Sequence, residues 1–403
     1  MPLPGTLKIP KQPTRSGPVW EGPSGTGPNG GVSQSLISRY LACKERYRIY
    51  AMEGLKPKEG FNSRLEFGNM WHVCKESLVG HKIGICPTCD GEWTKEKADK
   101  LDEAPPPATC PNCVGDPTNP FLDWKLKLKD YCEHLSRKYR SDVEQIDHWY
   151  NVTRALFPVY LEYWNEINPD KTKRTPLLRE QPFDVQYKLP GGRSVRLRGK
   201  WDGVDLVEGK WIELYEHKTK SQIDSDKISR QLTFDLQTLL YLIALDAPDG
   251  LAMYATNGRH PIKGVRYNVV RRSAHKSVDS MMKKVTEDYK AGRIGEWFAR
   301  WDVPVHQSDY NNFKYHCLEP VLENLLDDYE WWVYCESIGN KSPFVYEQRS
   351  QKFPKHLNRH FRYPYGVWNP VAEGGFGEID EYMRSGSEVG LERVMTLFPE
   401  LEG

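Results

Sequence analysis

Apolar and polar residues alternate with a period of two across residues 195–221, on either side of Glu208-Gly209-Lys210. That pattern predicts two strands joined by a tight turn. On the second strand Ile212, Leu214, Glu216 and Lys218 share one face, because side chains alternate across a strand. Two apolar positions are followed on that face by a carboxylate and an ammonium. A core face does not normally run into two charges unless they have a partner or a task. Asp202, on the preceding strand, is brought towards Glu216 by hairpin pairing. An Asp, then Glu-x-Lys on the neighbouring strand, can hold a divalent cation between two carboxylates and leave an amine beside it.

Around this hairpin the apolar period lengthens to three or four. Residues 33–50 predict a helix capped by Ser33 or Ser35, with Leu36, Tyr40, Cys43 and Tyr47 on one face. Residues 64–79 predict a second helix in which Gly68 and His72 lie one turn apart. The glycine permits close approach of a neighbouring backbone, and a lone helical histidine is ordinarily structural. Residues 121–164 predict further helix, with Trp124, Leu128, Tyr131, Leu135 and Tyr139 as scaffold. A segment over 143–164 should be kinked or broken by Pro158. Strands are predicted over 177–189 and 195–207 about the turn Pro190-Gly191-Gly192. Glu180, at the start of the first, is read as a surface charge in preference to a residue reaching the hairpin. A helix over 225–245 carries the stripe Leu232, Leu236, Leu239, Leu240 and Ile243, with Gln237 and Tyr241 on one face. Strands near Leu251 and Val265 and helices over 277–291 and 309–334 follow. Residues 1–31, rich in Pro and Gly, predict a disordered arm.

Composition changes this picture in three ways. With 403 residues, 38% of them apolar, the chain can bury a large core or form two to three domains. Its net charge is +1, so binding to nucleic acid would rest on local patches rather than on the whole-molecule field. One such patch is His356, Arg359, His360 and Arg362, which a solvated surface explains equally well. No apolar run approaches the length of about 18 residues that a membrane span needs, and no secretory leader is visible. A cytoplasmic, reducing setting is therefore expected, in which the nine cysteines are read for metal binding before disulfides. Cys86-Pro-Thr-Cys89 and Cys110-Pro-Asn-Cys113 are two knuckles that together would complete a tetrahedron around one Zn²⁺. The polar, Pro-rich sequence around them cannot build its own core, and metal binding would supply the missing folding energy. A four-cysteine iron–sulfur cluster is the minor alternative.

Taken together the motifs resemble the RecB-like branch of the PD-(D/E)xK nuclease superfamily. They run in that family's order: a Ser33-x-Ser35 helix with Cys43 and Arg46, then Gly68-x-x-x-His72, Gly199-Lys-Trp-Asp202, Glu216-His-Lys218-Thr and Gln237-x-x-x-Tyr241. The branch includes RecB and AddB nuclease domains and CRISPR-associated and phage RecB-like exonucleases. The resemblance implies an α/β fold with a restriction-endonuclease-like core, a mixed central sheet flanked by helices. That core would occupy residues 32–272, with a zinc-ribbon-like module inserted over 82–118 and a helical C-terminal extension over 273–403.

The resemblance also implies roles. His72, Asp202 and Glu216, with the His217 carbonyl, would ligate Mg²⁺ or Mn²⁺. Lys218 would orient water and stabilise charge on the phosphate, as a protonated group rather than a base. Gln237 and Tyr241 would hold the phosphate or the scaffold of Lys218. Arg198, Lys200, Lys220 and Arg230 are the candidates for contact with the DNA backbone. Some members carry an iron–sulfur cluster built from one cysteine in the first helix and three after the Gln-x-x-x-Tyr helix. Cys43 matches the first, but only Cys317 and Cys335 lie downstream, so no cluster is expected. The implied activity is metal-dependent DNA hydrolysis, exonucleolytic by preference, in recombination, repair or phage DNA processing. It would act in a bacterial or phage-infected cell, beside a recombination or replication protein. The alternative is a non-catalytic, zinc-containing DNA-binding platform or an adaptor in a replication or packaging complex. The complete set His72, Asp202, Glu216 and Lys218 speaks against it.

Overall fold

The structure, a computed structural model, describes residues 20–42, 44–58, 60–79, 123–224, 235–247, 261–337, 382 and 387–401. The N-terminal half gives helices α1 (Gln34–Ala42) and α2 (Lys44–Ala51), the short strand β1 (Leu55–Pro57) and helix α3 (Ser63–Val79). Helices α4 (Asp123–Lys138) and α5 (Val143–Glu162) precede three long strands. These are β2 (Arg174–Lys188), β3 (Ser194–Val207) and β4 (Trp211–Lys220). Then come α6 (Leu236–Asp246), β5 (Ile262–Arg271), α7 (Val278–Lys290) and β6 (Phe298–Pro304). Helices α8 (Gln307–Asn312) and α9 (Glu319–Ser337) and strand β7 (Leu391–Arg393) complete the described elements. None of the described helices is long and apolar enough to cross a membrane.

The main sheet has the order β2-β3-β4-β5-β6, antiparallel throughout except for the parallel pair β4–β5. The β3–β4 hairpin turns through Glu208 (φ 53°) and Gly209 (φ 69°), two positive values in succession as a type I′ turn requires. A parallel pair needs a crossover, and α6 lies between β4 and β5 in the chain. Asp235 caps α6 by accepting the N–H of Thr238, and every residue of 238–245 is buried. Over these residues the helix is apolar nearly all round because that stretch lies inside the molecule.

Both faces of the sheet are covered. Leu214, Val265, Tyr267 and Val269 pack with residues of α1, α6 and α9 in one cluster. Val270 and Phe298 pack with α3, α4, α5 and α7 in another. The sequence pattern anticipated only the first layer for β4. Glu213, Tyr215 and His217, on its other face, are buried as well.

Four expectations need correction. Residues 20–31, expected to belong to a disordered arm, are packed on the fold. Trp20 is buried, its indole donates to the Gly31 carbonyl (2.8 Å), and Val32 bridges Leu197. A core boundary at residue 272 is too early, because β6 extends the sheet to Pro304. The region after it is not wholly helical, since β7 pairs with β1. Finally, of the two expected effects of Pro158, a kink or a break, the break does not occur: α5 runs through Pro158 to Glu162. Pro158 and Arg154, whose carbonyl loses its helical partner, are both exposed, so water can satisfy that group. Phe157 and Tyr160 meanwhile hold the helix against Trp71. The predicted strand near Leu251 and residues 225–234 of the predicted helix lie outside the described residues.

Candidate metal and active site

Helix α3 reaches the sheet at Gly68, where a β-carbon would stand 3.4 Å from Thr219 Oγ1. One turn later His72 Nδ1 lies 3.6 Å from Glu180 Oε1 and 3.8 Å from Asp202 Oδ1. The pairs Arg179↔Gly203 and Gln181↔Trp201 set Glu180 directly opposite Asp202. Like charges opposite one another on neighbouring strands are destabilising. Here His72 offsets them, as does Lys200, whose Nζ is 3.2 Å from Glu180 Oε2. Glu180 also adopts φ 44°, a conformation that costs energy for a non-glycine residue and tends to occur where function requires it. One donor atom from each of His72, Glu180 and Asp202 lies within 4.8 Å of the others.

The β3–β4 ladder has its last pair at Gly203↔Tyr215. Beyond it the Asp202 carboxylate accepts the backbone N–H of His217 at 2.7 Å. That bond ties Asp202 to the strand carrying Glu216. Glu216 Oε1 accepts from Lys218 Nζ (2.8 Å) and from Gln237 Nε2 (2.7 Å), while Lys218 Nζ donates to Gln237 Oε1 (2.7 Å). Asp235, the cap of α6, stands 3.9 Å from the same ammonium. Glu216 Oε2 is buried without a hydrogen-bond partner among the described residues. A buried carboxylate oxygen left bare is costly, and a cation is the natural group to satisfy it.

The charges respond to this crowding. Burial opposes protonation of His72, but Asp202 and Glu180 outweigh it and raise its pKa to about 9. Burial, reinforced by Asp202 and only partly offset by Lys218, pushes Glu216 up to about 8. Burial also lifts Asp202 above the usual carboxylate range. For Glu180 burial acts upwards, but the contact with His72 prevails and holds it low. Lys218 is disfavoured as a cation by burial, yet Glu216 and Asp235 keep its pKa above the ordinary value, so it stays an ammonium. Three carboxylates crowded to this degree, with one imidazole, match the oxygen-rich donor set of Mg²⁺ or Mn²⁺. The residues present therefore fit a hard divalent cation.

The sequence reading placed Asp202, Glu216, Lys218, Gln237 and His72 in one site, and the structure brings these five together. Glu180 was read as a surface charge; its side chain is only 9% exposed and sits between His72 and Lys200. Tyr241 is in the core, its ring 5.2 Å from that of Phe183. Its carbonyl accepts the Trp201 indole N–H (3.2 Å), which steadies β3 one residue before Asp202. A β-carbon at Gly199 would stand 2.6 Å from Phe183 and 3.2 Å from Tyr241, so this glycine is what lets the two rings lie on β3. The His217 imidazole lies in a buried network, its ring centroid 5.7 Å from that of His72: its Nδ1 is 2.9 Å from Asn268 Nδ2, which also donates to the Tyr160 hydroxyl (2.7 Å). Burial, then Lys75, keeps this ring neutral.

Two of the expected DNA contacts are engaged inside the protein. Arg198 donates to the carbonyls of Pro28 (2.6 Å) and Gly30 (3.1 Å) and lies over Phe398, so it pins the arm. Lys200 is taken up by Glu180 and by Glu76 (3.3 Å). Their partners are remote in sequence, which is why a basic residue beside the motif looked available. Lys220 ends β4 half-buried. Arg230, Cys43 and the four knuckle cysteines Cys86, Cys89, Cys110 and Cys113 lie outside the described residues, as do His356, Arg359, His360 and Arg362.

Comparison with known proteins gives one family. The model of the PD-(D/E)XK nuclease superfamily matches residues 31–317. No curated protein matches the chain. Among solved structures, one titled "Crystal structure of SSO0001" is similar at 10% sequence identity and a TM-score of 0.23, covering 54% of this chain and 76% of that one.

Proposed function

This chain belongs to the PD-(D/E)XK nuclease superfamily, and from that premise we propose that it is a Mg²⁺- or Mn²⁺-dependent deoxyribonuclease of the RecB-like branch. Exonucleolytic action on linear DNA, in recombination, repair or phage DNA processing, is part of the same proposal. The observation that carries it is Glu216. One of its oxygens is bound by Lys218 and Gln237, and the other is buried with no hydrogen-bond partner among the described residues.

His72, Glu180, Asp202 and Glu216 would hold the cation, which when bound supplies Lewis-acid polarisation of the scissile phosphate. Lys218 donates towards the phosphate oxygens and orients the attacking water. Its raised pKa suits a fixed positive charge rather than a base. Gln237 fixes the Lys218 amine by hydrogen bonding to both it and Glu216. Hydrolysis adds water across one P–O bond and leaves a phosphate monoester and a hydroxyl. The four knuckle cysteines are proposed to bind one structural Zn²⁺, which elemental analysis of the intact protein would count.

The test is digestion of labelled linear DNA, with free or blocked ends, in Mg²⁺ or Mn²⁺. Release of label should start from free ends and stop in EDTA. Lys218→Ala should slow it by about 10²- to 10³-fold, as loss of one transition-state donor does. Cutting of blocked or circular DNA would replace exonuclease by endonuclease. Intact DNA after incubation with the folded wild-type protein would overturn the reading.

A further inference from the structure

Helix α3 presents Arg64, Gly68 and His72 at i, i+4 and i+8, on a single face. Gly68 seats that face on Thr219, and His72 lies at the carboxylates, which leaves Arg64 two turns away at the end of the sheet. The parallel strands β4 and β5 finish together at this end, with Lys220 paired to Arg271. Arg272, the next residue, donates its backbone N–H to the Lys220 carbonyl (2.6 Å), and its guanidinium lies 5.9 Å from the Trp149 ring centroid. Trp149 packs on Phe67, one turn from Arg64, with 5.2 Å between ring centroids. Arg64 and Arg272 thus share one rim beside the site, at the end of the strand pair that closes with Lys220 and Arg271.

Nothing among the described residues neutralises them. Among the described residues no ion pair involves either of them, whereas neighbouring Arg271 reaches Glu296 (3.9 Å). Elsewhere Arg193 is held by Glu323, Arg196 by Asp184 and Arg266 by Asp302. Burial, and then the nearby Arg64, lower the pKa of Arg272, as expected of a half-buried cation facing another without a counter-charge. Guanidinium groups bind phosphate oxygens in bidentate fashion, and such a cluster is relieved by an anion.

We propose that Arg64 and Arg272 form a clamp for a backbone phosphate of the substrate strand, displaced from the scissile bond. The proposal rests on the nuclease reading and adds where the strand runs. Eight residues of helix span about 12 Å, equivalent to about three or four nucleotides at ~3.4 Å each along a B-form strand. Contacts of this kind position the strand without reading its sequence.

The test compares Arg64→Ala/Arg272→Ala with the wild type on a linear oligonucleotide and on bis(p-nitrophenyl) phosphate, which has no strand to reach the rim. The preference for the oligonucleotide over the small diester should fall about 10- to 100-fold, with the loss in KM rather than kcat. The double Arg→Lys variant should recover part of it. The slope of log affinity against log salt should fall by about one to two, as for one or two lost phosphate contacts. An unchanged preference and salt slope would overturn the clamp, and so would equal losses on both substrates. If the wild type cleaves neither substrate, the nuclease reading fails. Binding of the labelled oligonucleotide in Ca²⁺ then decides the clamp alone: a shallower salt slope in the variant upholds it, and an identical slope rejects it.

Discussion

Glu216 combines the features expected of a group kept for function at some expense of stability: it is buried, pushed up to about 8, and has one oxygen without a donor. Glu216→Gln removes the charge and keeps the shape. The melting temperature of the metal-free variant should be no lower than that of the wild type, while DNA cleavage falls by at least about 10²-fold. A drop of several degrees together with full activity would show that the carboxylate serves the fold instead. At this scale the sequence exposed the residues whose chemistry breaks a pattern, Glu216 and Lys218 at the end of an apolar strand face. It concealed Glu180, because a carboxylate on a strand next to polar neighbours looks solvated. Only the β2–β3 register sets it opposite Asp202. The same blindness to distant partners made Arg198 and Lys200 look available to DNA.

Helix α3 links the sheet to the site through Gly68. A β-carbon there would meet Thr219 Oγ1 at ordinary contact distance, 3.4 Å. Gly68→Ala should therefore be tolerated and raise stability by about 0.5–1 kcal/mol, the helix-propensity gain. Gly68→Leu should lift α3 from β4, withdraw His72 from the carboxylates and lower cleavage by more than about tenfold. Thermal melts beside rate measurements distinguish the two. On α7, Asp288 accepts from Lys284 (2.9 Å), Arg293 (2.8 Å) and the Trp297 indole (3.0 Å). The Lys284 bond, then that of Trp297, holds its pKa below the usual carboxylate range despite burial. A depressed folded pKa stabilises fully above the unfolded value, about pH 4, and the contribution is lost as pH falls below it. Asp288→Asn should lower the melting temperature at pH 7 by roughly 2–8 °C and flatten its fall under acid; parallel acid limbs for variant and wild type would refute this. Periodicity sufficed to locate α3, the β3–β4 hairpin and α7. It could not show that β4 is buried on both faces, because Glu213 and His217 obtain their partners from other elements, Arg174 and Asn268.

Over the whole molecule, the site depends on pieces far apart in the chain. The segment after Trp20 packs along β3, where Arg198 holds Pro28 and Gly30, and β7 returns to pair with β1. Neither joining was legible, since Pro- and Gly-rich or short polar segments carry no periodic signal and their order comes from tertiary contact. The family assignment was legible because its motifs are short, ordered and lie on the elements that periodicity predicts. The account as a whole stands on His72, Glu180, Asp202 and Glu216 gathering one divalent ion beside the Lys218 ammonium. The most direct measurement is the rate of cleavage of end-labelled linear DNA as Mn²⁺ is titrated into EDTA-stripped protein, for the wild type and for Asp202→Asn. The account predicts no cleavage without metal, saturation at one class of site in the wild type, and loss of that response in the variant. Cleavage by the stripped protein, or an Asp202→Asn curve that overlays the wild type, would contradict it.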